Sequence, residues 1–292
     1  MDAAEIERLL DTTYRDRLWR KFIHGIHEYQ MIKPGDRICV CISGGKDSML
    51  LALMFKHLKR YSDFDFDVKY LVMDPGYLPQ VRELIVSNLR KLDIPAVIED
   101  GNIFKAVANV PSNPCSLCAK MRRGTLYRIA RDELGCNKIA LGHHYDDVIV
   151  TTLMNLLNSG SFQTMLPKLK AKNYKPMELI RPMYFIREND IKCFGKAIGM
   201  QFIACACPLT AKKAQLAEVS MRQRTKDLIA DLMKNYSPYV ERSLFACAGN
   251  VKMNAILGWR KDGVKHSFLE NYDIDKEDLL DSDGRNEKDD QS

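Results

Sequence analysis

Residues 37–58, RICVCISGGKDSMLLALMFKHL, hold three kinds of sequence in direct succession. RICVCI (37–42) is a short apolar run rich in β-branched residues, which reads as a buried strand. SMLLALMFKHL (48–58) places apolar residues at 50, 51, 54, 55 and 58, the spacing of one helix face. Between them lies SGGKDS (43–48). Gly44 and Gly45 carry no Cβ, so backbone N–H groups can close around an anion. The helix that follows points its positive end into the same space. Lys46 adds a full charge, Ser43 and Ser48 add hydroxyls, and Asp47 adds a carboxylate. Strand, glycine turn and helix in this order make a pyrophosphate cradle; a tight loop with no ligand is the plain alternative. The common P-loop needs four residues between its first Gly and the Gly-Lys pair, and the dinucleotide fingerprint needs G-x-G-x-x-G; neither spacing is present.

The rest of the chain repeats the alternation. VKYLVM (68–73), AVIE (96–99), KIALG (138–142), MELIRPM (177–183) and QFIA (201–204) read as strands. Residues 78–92, 119–134, 145–158 and 187–199 read as helices, the second ending at Gly135 as a C-cap. Strands alternating with helices imply an α/β fold with a doubly wound, mostly parallel sheet. Ligands then bind beyond the carboxyl ends of the strands, at the loops that open at 43, 74, 100 and 142. Residues 3–31 read as one N-terminal amphipathic helix. After residue 207 the strands are expected to stop, with helices over 210–235 and 237–258. The expected organisation is an N-terminal helix (1–30), a nucleotide-binding domain (31–207), a small C-terminal helical subdomain (208–270) and a disordered acidic tail (271–292).

At 292 residues and 46% hydrophobic content the chain can bury a real core. No apolar run is long enough for a membrane span, and the charged N-terminus lacks a signal core, so a cytoplasmic protein with no membrane partner is expected. Nine cysteines in that compartment point to metal, catalytic or core roles. The net charge of +6 hides an asymmetry: the last twenty residues carry −6 and the preceding 272 carry +12. Such a body suits a polyanion, although a solvated basic surface would look the same.

Two further stretches carry chemistry. NPCSLCAKMRRG (113–124) sets Cys115 and Cys118 two residues apart, with Lys120, Arg122 and Arg123 close behind. That spacing serves a redox dithiol, a zinc knuckle or part of an iron–sulfur ligand set. GHHYDD (142–147) opens a helix after a strand, where His143, His144, Asp146 and Asp147 can orient a base, a metal or a nucleotide. One Asp can be a helix N-terminal charge and one His a structural hydrogen-bonder.

In order and position, SGGKDS, PCSLCAKMRRGTLYRIA (114–130) and IALGHHYDD (139–147) resemble the PP-loop ATP pyrophosphatases. Within that superfamily they are similar to the 2-thiocytidine synthetase branch of tRNA thiolases, over residues 16 to 255. The resemblance implies an adenine nucleotide alpha hydrolase-like PP-loop domain that cleaves ATP between the α and β phosphates, with Mg²⁺. It implies nucleotide contacts from Ser43, Gly44, Gly45, Lys46, Asp47 and Ser48, from the backbone around Met73 and Asp74, and from Gly142 and His143. It implies a 4Fe-4S cluster on Cys115, Cys118 and a third cysteine, Cys207, with Cys205 as the runner-up in ACACPLT (204–210). Three thiolates rather than four argue against structural zinc. Cys136, Cys193, Cys39 and Cys41 are read as core residues. Asp47, Arg122 or Arg123, and Asp146 or Asp147 are the implied catalytic groups. The implied reaction adenylates the C2 oxygen of a pyrimidine, cytidine by the resemblance, in tRNA and replaces it with sulfur. A sulfide or cysteine desulfurase donor is implied, and a homodimer is among the expected arrangements. RNA phosphates would meet Lys168, Lys170, Lys172, Lys175, Arg222, Arg224 and Lys226. The rival readings are a lysidine-type ligase, amidation or thiolation of a small molecule, and a non-enzymatic nucleotide-binding iron–sulfur sensor.

Overall fold

A computed structural model describes residues 1–107, 110, 114–203 and 219–272. Strands β1 (Arg37–Ile42), β2 (Asp67–Asp74), β3 (Ala96–Asp100), β4 (Lys138–Ala140) and β6 (Glu178–Ile180) run parallel, and β5 (Lys168–Lys170) lies antiparallel at one edge. The order across the sheet is β3-β2-β1-β4-β6-β5. The chain winds outward from β1 and then returns to β4 on the other side of it. The loops leaving β1 and β4 therefore diverge, which opens a crevice at their carboxyl ends.

Helices cover both faces. α1 (Ala3–Asp11) and α2 (Arg20–Glu28) precede the sheet; α3 (Lys46–Tyr61), α4 (Pro79–Lys91), α5 (Ile103–Val107), α6 (Pro114–Arg128), α7 (Tyr145–Ser159) and α8 (Glu188–Ala197) connect its strands or follow them. The period-2 alternation of β1 divides the core. Ile38, Val40 and Ile42 face α3, with Leu51, Phe55, Phe22 and Ile186. Cys39 and Cys41 face the other way, with Leu71, Cys136, Ile139 and Tyr127. Phe22 and Phe55 are fully buried, edge to face at 5.6 Å, and each such ring contributes roughly 1.5–3 kcal/mol by burial.

The expected mostly parallel α/β sheet is the observed one, and several local expectations are corrected. The single N-terminal helix is two helices joined by a π-helical turn at Arg15–Trp19. Thr12 breaks the first: its hydroxyl donates to the Arg8 carbonyl at 2.8 Å, and its backbone leaves the helical region. The apolar stripe still runs through the break, with Ile6, Leu10, Tyr14, Leu18, Phe22 and Ile26 all buried. QFIA is not a strand over its described residues: the Gln201 carbonyl accepts from the Asn88 amide at 2.8 Å rather than from a neighbouring strand. The strand in MELIRPM shortens to Glu178–Ile180, because Arg181-Pro182 leads into a turn. β5 was not expected.

Helices α9 (Met221–Asn235) and α10 (Val240–Ala246) follow. α9 packs on α7 by setting Ile229 against Ile149, Val150 and Leu153. The chain divides into two compact units between Phe245 and Ala246. The second unit corrects the expectation that strands end at 207 and that 237–258 is helical. After two short 3₁₀ turns it holds a hairpin, β7 (Gly258–Lys261) and β8 (Val264–Ser267). Asp262 and Gly263 turn it with φ of +51° and +87°, the backbone an Asp-Gly hairpin favours, and Trp259 stacks on His266 at 5.0 Å. Among the described residues no helix is long and apolar enough to cross a membrane.

Candidate functional site

SGGKDS closes the carboxyl end of β1 and opens α3. The Ser48 hydroxyl holds the turn: it donates to the Gly45 carbonyl at 3.0 Å and accepts the Ser43 N–H at 3.1 Å. Gly44 sits at φ +83°, and a Cβ there would come within 2.6 Å of Ile203 and 2.7 Å of Ile85. Its backbone angle requires glycine, and the two isoleucine side chains would have to shift to admit a Cβ. The second loop approaches as closely. A Cβ on Gly142 would lie 3.0 Å from the Asp47 carbonyl group and 3.1 Å from the Ser48 nitrogen. The two diverging loops therefore touch backbone to backbone at the foot of the crevice.

Above them lies a cavity of about 430 Å³. Ser43, Asp47 and Ser48 form one wall, and Ala119, Arg122, Arg123 and Leu126 of α6 form another. Its floor is apolar: Cys41, Ile139 and Leu141, with Met73 at the side. Gly142, His143 and Asp147 complete it. The sheet and α6 thus bring together much of what the sequence singled out. Met73 also packs against Cys118, which is only 9% exposed among Ile103, Val107, Phe104 and Met121. Cys115 lies one turn earlier on α6. Cys205 and Cys207 lie outside the described residues, and among the described ones no three His, Cys, Asp or Glu side chains converge as a metal site. Cys41, read as packing, forms part of the cavity floor. Cys136 and Cys193 pack as small apolar residues.

Other expected residues are placed differently. The Asp74 carboxylate is occupied by its own loop: it accepts the N–H groups of Gly76 and Tyr77 at 2.8 and 2.6 Å and pairs with Arg82 at 3.2 Å. Its carbonyl accepts from Gly101 at 2.7 Å. Lys46 does not point into the cavity; its ammonium lies 3.1 Å from Asp47 and 3.1 Å from Glu188. Burial opposes its charge, but these two carboxylates hold its pKa above the ordinary lysine value. Lys168 is occupied by the Gln30 carbonyl at 2.9 Å and by Glu178 at 3.5 Å.

The GHHYDD stretch divides its labour. His144 is buried, with Nε2 3.7 Å from Asp47 and 3.5 Å from Asp147. Burial, aided by the Arg181 charge, pushes His143 down to about 4, so the ring is neutral at pH 7. Its buried Nδ1 has no hydrogen-bond partner. Asp146 accepts the Glu188 N–H at 2.7 Å and so anchors the start of α8. Asp147 faces the cavity and pairs with Arg222 of α9. Burial would raise both carboxyls, but His144 holds both low, helped by the Glu188 N–H at Asp146 and by Arg222 at Asp147.

Glu188 is the residue the sequence reading missed. Its carboxylate lies 3.1 Å from Lys46, 2.9 Å from Lys226 and 3.4 Å from Lys192. Burial would raise its pKa, but the Lys226 and Lys46 ammonium groups hold it well below the carboxylate range. Arg187 pairs with Glu241 of α10. Arg222 and Lys226, expected as RNA contacts, thus engage carboxylates of the site, and α9 is tied by charge to the loop that carries Lys46. REND (187–190) offered only a helix-start signal, because its partners lie 142 positions before it and 38 after it.

A glycine cradle at the reversal point of a parallel sheet, faced by a helix of arginines, defines an α/β domain built to hold a nucleotide's phosphates. The PP-loop domain family matches residues 17–207. A tRNA-cytidine(32) 2-sulfurtransferase from Syntrophotalea carbinolica is 36% identical over 249 residues, covering 83% of this chain and 93% of the relative. One of the same name from Geotalea uraniireducens is 34% identical over 260 residues, covering 88% and 98%. The chain belongs to the PP-loop family, within the group that holds these sulfurtransferases. Among solved structures, the U34-tRNA thiolase NcsA from Methanococcus maripaludis, with its 4Fe-4S cluster, shares the fold at a TM-score of 0.59 and 21% identity over 82% of each chain.

Proposed function

We propose that this protein is an ATP-dependent tRNA sulfurtransferase that replaces the C2 oxygen of cytidine with sulfur, at position 32 as in its named relatives. The observation that carries the reading is the facing of two walls across one cavity: the PP-loop on one side, and on the other the helix that bears Cys115, Cys118, Arg122 and Arg123.

The chemical difficulty is the leaving group, because oxide does not depart from a pyrimidine carbon. In the first step the C2 oxygen attacks the α-phosphorus of ATP, and the bond to the β-phosphate oxygen breaks to release pyrophosphate. In the second, sulfide attacks C2 and the C–O bond breaks with AMP as leaving group. No net oxidation occurs, and ATP, sulfide and the base yield AMP, pyrophosphate and the thiolated base.

Backbone N–H groups of Gly44 to Lys46 and the start of α3 bind the phosphates, and Gly44 and Gly142 leave the room. Lys46, held beside Asp47 by Glu188, stabilises charge on the departing pyrophosphate. Asp47 Oδ1 has no hydrogen-bond partner and would hold Mg²⁺ against the same oxygens. The apolar floor and Met73 take the flat faces of the bases. Arg122 and Arg123 reach the activated oxygen from α6, and neutral His143 offers a hydrogen bond to a base edge. Cys118 fits a cluster ligand in its donor atom and its dry surroundings. Together with Cys115 and Cys207 it would hold the cluster, and Cys205 is the alternative third ligand. A 4Fe-4S cluster held there would bind the incoming sulfide and present it to the activated carbon. The target base lies inside a folded RNA and must be splayed out to enter.

The test is product analysis. Anaerobically prepared protein with ATP and tRNA should form AMP and pyrophosphate in equal amounts, and Lys46→Ala should stop both while leaving the cluster in place. ADP and phosphate as products would refute the reading.

A further inference from the structure

Six arginines among the described residues are half-buried: Arg82, Arg122, Arg131, Arg181, Arg187 and Arg222. Four of them are paired with carboxylates: Arg82 with Asp74 and Asp100, Arg131 with Asp132, Arg187 with Glu241, and Arg222 with Asp147. Arg122 and Arg181 have no carboxylate within ion-pair distance among the described residues; Arg122 lines the cavity, and Arg181 lies behind that lining, close enough for its charge to act on His143 and Asp147. A guanidinium taken out of water without a counter-charge is costly. Such an arrangement persists where a ligand completes it.

Arg181 shows this most clearly. It follows β6 at the carboxyl edge of the sheet, the edge that carries the PP-loop. Its backbone is fixed, with the N–H donating to the Pro167 carbonyl at 2.9 Å and the carbonyl accepting from Tyr184 at 3.2 Å. One guanidinium nitrogen donates to the Leu166 carbonyl. The buried Nε has no partner. Its charge is felt by three residues that line the cavity, Arg123, His143 and Asp147, and Asp147 is already paired with Arg222. Burial lowers the guanidinium to about 10, the direction expected of a desolvated cation that lacks a matching anion.

We propose that Arg181, with Arg122 and Arg123 of the cavity lining, forms a subsite for the phosphodiester that flanks the nucleotide drawn into the site. The guanidinium fork suits a phosphate better than a point charge does. The ATP phosphates have their own donors at Ser43–Ser48 on the PP-loop wall, which leaves the RNA backbone as the anion for this side. Arg222 continues the basic track from α9. The inference rests on the proposed tRNA reaction and deepens it by naming where the strand is held.

The experiment is a salt titration of tRNA binding by the full-length cluster-loaded protein, alongside ATP binding and thermal melting, for wild type, Arg181→Gln and Arg181→Lys. Arg181→Gln should bind tRNA about 10- to 100-fold more weakly at low salt. The slope of log K against log[salt] should become shallower by about 0.7. Arg181→Lys should keep the wild-type slope with only part of the affinity. ATP affinity should stay within about twofold for both. An unchanged tRNA slope with weaker ATP binding would assign Arg181 to the triphosphate and overturn the proposal. Unchanged tRNA and ATP binding with a lowered melting temperature would make it a strut for the Leu166 loop and overturn it equally. Salt-independent tRNA binding by the wild type would instead overturn the tRNA reading itself.

Discussion

Glu188→Gln keeps the shape of the side chain and removes its charge. The Glu188 N–H still donates to Asp146, so the start of α8 is preserved. Lys46 keeps Asp47 at 3.1 Å but loses Glu188 at 3.1 Å, while Lys226 at 2.9 Å and Lys192 at 3.4 Å lose their shared partner. A hydrogen bond to a charged group is worth about 1.5–3 kcal/mol. The Glu188 side chain is 18% exposed, so solvent recovers part of that loss, and a net destabilisation of about 2 kcal/mol is expected. For a chain of this size that lowers the melting temperature by roughly 3 °C. The catalytic effect should be separable. Lys46 becomes less well placed for the departing pyrophosphate, at a cost of about 1.5–3 kcal/mol in the transition state, or roughly 10- to 100-fold in kcat. ATP binding should not weaken, because one negative charge has left the vicinity of the triphosphate. Pyrophosphate release in the presence of tRNA gives kcat, and equilibrium ATP binding gives Kd. If kcat is unchanged, or if Kd rises in proportion as kcat falls, Glu188 does not position Lys46.

Other consequences follow from the same geometry. Gly142→Ala puts a Cβ 3.0 Å from the Asp47 carbonyl group; this overpacking should cost about 1–3 kcal/mol and weaken ATP binding about tenfold. Gly160→Ala, with φ +55° and open space around it, should cost about 1 kcal/mol and leave ATP binding alone. His143 has a folded pKa of about 4 against 6.5 for the free ring, so the unfolded chain takes the proton first. Stability should therefore fall as pH drops from 6.5 towards 4, by at most ~3 kcal/mol, and His143→Gln should flatten that slope in melting curves. The depressed carboxyls of Asp146, Asp147 and Glu188 act lower: their contribution is complete above the unfolded carboxylate value of about 4 and is lost below it. Cys115→Ala, Cys118→Ala and Cys207→Ala should each abolish bound iron and the brown colour of anaerobic protein, and Cys136→Ala should not; a colourless wild type carrying zinc would contradict the cluster assignment.

What could be read from the sequence was what local chemistry determines. SGGKDS needs only its own glycines, serines and lysine to make a cradle, and the alternation of strands and helices needs only periodicity. The crevice between β1 and β4 followed from those two features. Gly135, with φ of +60°, sits as a C-cap should. Glu188 and Arg181 were not legible, because each acquires its role from residues far away in the chain: Lys46 and Lys226 for one, His143 and Arg123 for the other. The β7–β8 hairpin is a different case. Its Asp262-Gly263 turn was a local signal, overlooked between two segments read as helical and acidic. The N-terminal break at Thr12 was local too, but the uninterrupted apolar stripe masked it.

The reaction proposed for this cavity exchanges oxygen for sulfur on a tRNA pyrimidine at the expense of ATP. The most direct measurement is mass spectrometry of nucleosides from tRNA lacking the modification, after anaerobic incubation with the cluster-loaded protein, ATP, Mg²⁺ and sulfide. The expected product is 2-thiocytidine at position 32, with one AMP and one pyrophosphate formed per sulfur incorporated, and none of the three without ATP. Cytidine left unthiolated by protein that carries its cluster and binds both ATP and tRNA would contradict it.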